Sequence, residues 1–154
     1  MTPEQIRAAI AARPDLSGVT DSQALADALS VGRTRVVPKM VSARGLAEHL
    51  GAIPAEVVLM KLEGARDAML ASADQQQKVF GSLLRRQLAF LNTDGLDFGS
   101  AALRGMLDQF GALGVLTAAE VTALKAIALE PDPLSELEVR SAIFAADGTL
   151  LIGT

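Results

Sequence analysis

The chain has 154 residues, half of them hydrophobic, with no Cys, no Trp and no Tyr. Without Cys there is no disulfide and no thiolate chemistry, and without Trp or Tyr there is little on which bases or sugars could stack. A net charge of −4, with the acidity concentrated toward the C-terminal end, makes nucleic acid an unfavourable partner.

This length suits one domain, residues 1–154, with a sizeable core. Much of the apolar content is Ala, which favours helix, and β-branched runs are short. An all-α fold is expected. It is read as a single compact domain of about seven short-to-medium helices around a central helix pair, with a minor two-stranded ribbon allowed and an extended C-terminal arm over 147–154.

In chain order, Thr2 and Gln5 form a capping box with Pro3 at the first helical position, and Pro14 ends that helix. Leu16–Val19 reads as a loop. Thr20 with Gln23 caps a second helix carrying Leu25, Ala28 and Leu29, which Gly32 ends. Arg33–Val41 reads as extended, because Val36 and Val37 favour it, while Pro38 confines it to a sheet edge. Ser42 caps a short helix ending at Leu50-Gly51.

The central pair spans Ile53 to Leu91. Pro54 starts a helix with Val58, Leu62, Ala65 and Met69 on one face. Ser72 with Gln75 restarts a second one, whose stripe is Phe80, Leu84, Leu88 and Leu91. One continuous helix is the alternative to this hairpin. Asn92–Gly95 is a stop, and Leu96–Gly99 a connector.

Ser100 opens a helix with Leu103, Met106, Leu107 and Phe110. Thr117 with Glu120 caps the next, and Pro131 and Pro133 stop it. Ser135 with Glu138 caps the last helix, carrying Val139, Ile143 and Phe144. Asp147-Gly148 is a turn signal, followed by a terminal strand or arm. The segments Thr2–Leu29 and Thr117–Phe144 echo each other faintly, each running cap, helix, Pro-Asp, cap, helix. The expected core includes Leu62, Met69, Phe80, Leu84, Leu88, Leu107, Leu124 and Ile143.

Chemistry is sparse. His49 is the only histidine, and its place near a helix C-terminus suits a cation there. One His and no Cys exclude a zinc site of several such ligands. No Gly-x-Ser-x-Gly elbow and no phosphate-binding glycine loop occurs. Asp94 and Asp97 flank Gly95 without the twelve-residue calcium pattern. No catalytic residue, cofactor, metal or small-molecule substrate is therefore expected. The N-terminus is polar, unlike a signal peptide, and no run approaches the ~18 apolar residues of a membrane span, so solubility is expected.

Two segments are candidate protein-interaction sites. The basic cluster Arg33, Arg35, Lys39 and Arg44 is either a charged, protected strand edge or a dock for an acidic protein partner. The arm residues Leu150, Leu151 and Ile152 lack polar alternation, so both of their faces need cover. The two extended segments either pair with each other or add to the sheet of another chain.

From Gly114-Val115-Leu116-Thr117-Ala118-Ala119-Glu120 through Ala123-Leu124-Lys125-Ala126, and on to Glu130-Pro131-Asp132-Pro133, the chain resembles a known group. Leu29-Ser30-Val31-Gly32-Arg33-Thr34-Arg35-Val36-Val37 fits the same group. Its members are small, mostly uncharacterised structural proteins encoded in the virion and tail gene clusters of tailed double-stranded DNA bacteriophages. The resemblance spans most of the chain in loose outline, through helix-cap and loop patterns, and is least in Ile53–Leu91. It implies no catalytic residue. It implies a structural or assembly role in the tail or neck region of a virion assembled in the bacterial cytoplasm. The partners would be other virion proteins and further copies of the chain, as a homo-oligomer or multi-copy assembly. A soluble intracellular helical adaptor or regulator is the alternative.

Overall fold

The structure, a computed structural model, describes residues 1–152. It is mostly helical. Among the described residues there are eight α-helices: α1 (Pro3–Ala11), α2 (Ser22–Ser30), α3 (Ala43–Leu50), α4 (Ala52–Ala71), α5 (Gln75–Asn92), α6 (Ala101–Ala112), α7 (Ala118–Ala126) and α8 (Glu136–Ile143). The strands β1 (Thr34–Val36), β2 (Met40–Val41), β3 (Leu96–Asp97) and β4 (Leu129–Pro131) form two two-stranded sheets, β1 with β4 and β2 with β3. These are the eight helices expected in chain order, one more than the overall count of about seven.

Three of the expected capping boxes form, at Thr2/Gln5, Thr117/Glu120 and Ser135/Glu138. Two starts are displaced. Asp21, not Thr20, caps α2, its carboxylate accepting from the N–H groups of Gln23 and Ala24. Asp74, not Ser72, caps α5 by accepting from Gln76 N–H at 2.7 Å, while Ser72 Oγ accepts from Asp74 N–H. In both cases the carboxylate sits nearer the unpaired donors of the first turn. The central pair is thus a hairpin of two helices, broken at Ser72–Asp74.

The described chain forms two compact units. The first takes Met1–Arg35 and the segment from Glu130 onward. Ile6, Ile10, Leu25, Leu29, Leu134, Val139 and Ile143 pack into its apolar cluster, so α1 and α2 meet α8 from the far end of the sequence. Arginines serve carbonyls that the helices leave unpaired: Arg7 donates to Ala142 O at 2.9 Å and Arg13 to Ala28 O at 2.8 Å. Pro14 begins a 3-10 turn, Pro14–Leu16, which buries Leu16 where a loop is expected.

The second unit, Val36–Leu129, gathers Leu46, Val58, Leu62, Leu84, Leu88, Phe98, Leu107, Phe110 and Leu124. Of the eight expected core residues in the chain, six are buried. Met69 and Phe80 are half-buried against this cluster, and the Phe80 ring lies edge-on to Phe110 at 5.7 Å. Buried Gly81 permits the close approach of α5 to α4: a Cβ there would lie 2.9 Å from Met69 Cβ and 3.1 Å from Leu70 N.

The segment expected to be a connector holds β3, antiparallel to β2 with Met40 opposite Asp97 and Val41 opposite Leu96. The Asp97 carboxylate secures the joint by accepting from Lys39 N–H at 2.8 Å and Gly99 N–H at 2.9 Å. Gly99 has no substitute here, since any Cβ would collide with the Val37 carbonyl.

The two extended segments do not pair with each other. Gly148, at φ 85°, turns the chain so that Ala145 N–H donates to Thr149 O at 2.8 Å and Leu151 N–H to Ile143 O at 2.7 Å. A tight local turn closes a short loop at less entropic cost than pairing with a segment a hundred residues away. Gly153 and Thr154, the end of the expected arm, lie outside the described residues.

Candidate interaction surface

The four basic residues have different duties. Arg33 is half-buried and ion-paired with Asp132; its Nε also donates to Asp132 O, and its own carbonyl accepts from Asp132 N–H at 3.1 Å. The hydrogen bond from the Arg33 guanidinium holds the Asp132 carboxyl below its ordinary value, helped by the charges of Arg33 and Arg35. Arg33 is thereby occupied within its own unit. Arg35 is exposed on β1. Lys39 uses its backbone to join β2 and β3, donating to Asp97 and accepting from Phe98 N–H at 2.9 Å. Arg44 is exposed on α3 and pairs with Glu48 one turn on.

The three apolar arm residues divide as well. Ile152 is half-buried against the first unit's cluster. Leu150 bridges Phe144 and stays partly exposed, as does Leu151. Together the three line one wall of a cleft of about 600 Å³ whose other walls include Arg7, Arg13, Leu16 and Val19.

Neither segment is the most conspicuous apolar surface. That belongs to the outer sides of the central hairpin. On α4, Ile53 is 78% exposed and Met60 63%, with Val57 also open. On α5, Val79 is 62% exposed and Phe90 49%, with Leu83 open between them. The sequence carries the signal: Ile53, Val57 and Met60 recur at helical spacing beside the Val58–Leu62 stripe, so α4 is apolar on two faces. Only one of those faces can meet a given core.

Elsewhere some titratable groups serve the fold and others stand free in water. His49 is exposed in the last turn of α3. Glu120 accepts from Lys61 Nζ at 2.6 Å and from Thr117 N–H at 2.7 Å, and these bonds hold its carboxyl below the ordinary value. A cleft of about 710 Å³ beside the α4–α5 turn is lined by Met69, Phe80, Leu113 and the amides of Gln76, Gln77 and Gln109, with no titratable side chain. Among the described residues no group of three His, Cys, Asp or Glu is placed to hold a metal ion. No helix there is long and apolar enough to cross a membrane.

No family model, curated protein or solved structure matches the chain. The fold defines a mainly helical protein of two compact units, with an apolar outer surface on its longest helices.

Proposed function

We propose that this chain is a non-enzymatic structural or assembly protein of a tailed bacteriophage particle, in the tail or neck region, acting by multi-copy protein–protein packing. The observation that carries the packing role is the exposure of Ile53, Met60, Val79 and Phe90 on the central hairpin. Large apolar side chains recurring along one side of a helix and left in water, as on α4 and again on α5, mark a surface meant to be covered by another protein. The virion setting rests on the resemblance carried by Gly114–Ala126, Glu130–Pro133 and Leu29–Val37.

Quantitative mass spectrometry of purified particles from a host expressing the gene in its native cluster tests this. The chain should appear at a fixed number of copies per particle. Its absence from particles, with the protein abundant in the lysate, overturns the virion role and favours an intracellular adaptor.

A further inference from the structure

We propose that the α4–α5 hairpin binds a second copy of this chain head to tail, the outer side of α4 in one copy against the outer side of α5 in the next. The inference rests on the multi-copy reading and specifies its contact. At ~100° per residue, Ile53, Val57 and Met60 fall within one ~60° arc of α4. Met69 and Leu70, which meet Gly81 of α5, lie across the helix from that arc. On α5, Val79, Leu83 and Phe90 lie roughly opposite Gly81. Each stripe thus points away from the partner helix, and the two occupy opposite flanks of one hairpin.

Charge selects how such flanks meet. The exposed acids of α4 are Glu56, Glu63 and Asp67, on the side adjoining its stripe. The charged residues of α5 are Lys78, Arg85 and Arg86, all basic and exposed; Arg86 lies beside the stripe, whereas Lys78 and Arg85 fall on the side of Gly81. Glu56, Glu63, Lys78, Arg85 and Arg86 make no ion pair among the described residues. A two-fold contact of α4 on α4 would set acid against acid, and α5 on α5 base against base. The α4-on-α5 contact sets acid against base while covering both stripes. A contact between different surfaces of identical chains propagates, closing into a ring when the rotation per copy permits.

The chain has no cysteine, so engineered ones report contacts without background. Met60→Cys and Leu83→Cys are made singly and together, oxidised mildly and run on non-reducing gels. The double variant should give a ladder of multimers, each single variant alone should remain monomeric, and the two singles mixed should give a dimer. A dimer from either single variant alone, or no ladder from the double, overturns the head-to-tail contact.

Charge reversal provides a second measurement. Glu56→Lys with Glu63→Lys makes the acid-bearing side of the α4 flank basic, and Arg86→Glu puts an acid beside the α5 stripe. Each form should lose every species above monomer in sedimentation, and mixing the two should restore them. Unchanged association, or no restoration on mixing, counts against the proposal. The two ideas fail separately: a particle-borne chain without the ladder removes only this contact, and a ladder from a chain absent from particles removes only the virion setting.

Discussion

Single residues divide into those that hold the fold and those that face outward. Leu84 is 2% exposed within the second unit's cluster, so Leu84→Ala should cost about 2–5 kcal/mol in urea unfolding. Met60→Ala on the outer stripe should stay within ~0.5 kcal/mol for the monomer. A cost at Met60 comparable to that at Leu84 would mean its face is already covered. The glycines make a sharper pair. Gly99→Ala drives a Cβ into the Val37 carbonyl and should destabilise by at least ~1–3 kcal/mol, whereas Gly64, with open space around it in α4, should stabilise by about 0.5–1 kcal/mol when changed to Ala. Equal effects at the two positions would contradict the packing described. Titration gives a third check, at Glu120. Its folded carboxyl lies below the ordinary 4.5, so its stabilisation is complete above that value and is lost as pH falls through the lowered one. The melting-temperature gap between wild type and Lys61→Met should therefore close as the pH falls below 4.5 and through the lowered carboxyl value. A gap constant across that window would assign the effect to something other than the ion pair.

At the level of elements, the helices were legible because their caps are written in local chemistry. Thr2, Thr117 and Ser135 each bond the N–H three residues on, and each Gln or Glu there reaches back. The displaced starts show the limit of that code. Thr20 and Ser72 match the motif, yet Asp21 and Asp74 are equally good caps a residue or two nearer the helix, and pattern alone does not rank them. Asp74→Ala should cost about 0.5–2 kcal/mol, and Ser72→Ala clearly less; the reverse order would restore Ser72 as the cap. Strands β3 and β4 were not legible, since two- or three-residue strands have no periodicity to detect. They exist because β2 and β1 need hydrogen-bond partners, a condition that distant residues meet. The faint echo of Thr2–Leu29 in Thr117–Phe144 finds no common local structure at its Pro-Asp marks: Pro14 begins a 3-10 turn, and Pro131 ends β4.

For the whole molecule, apolar periodicity tells which residues seek cover but not which of them cover one another. α1 and α2 pack on α8, separated from them by the entire Val36–Leu129 unit, and nothing in the spacing of Ile6 or Leu25 names Val139 as a neighbour. The candidate surface was half-legible for the same reason. Arg33 and Ile152 look available in the sequence and are engaged within the fold, while Ile53 and Met60, apolar but outside the expected core stripe of α4, stand in water. Since Val36–Leu129 is continuous in sequence and has its own apolar cluster, that segment expressed alone should keep a helical circular-dichroism spectrum and melt cooperatively; an unfolded product would show that its cluster is insufficient. On the proposed reading, the outer side of the hairpin is covered by protein in the assembled state. Two methionines allow this to be read inside one molecule: Met60 on α4 is 63% exposed and Met40 on β2 is 61% exposed. In the free monomer they should oxidise at similar rates under peroxide, measured by peptide mass spectrometry. In the assembled form Met60 should slow markedly relative to Met40, and a Met60 that reacts there as fast as in the free chain contradicts the account.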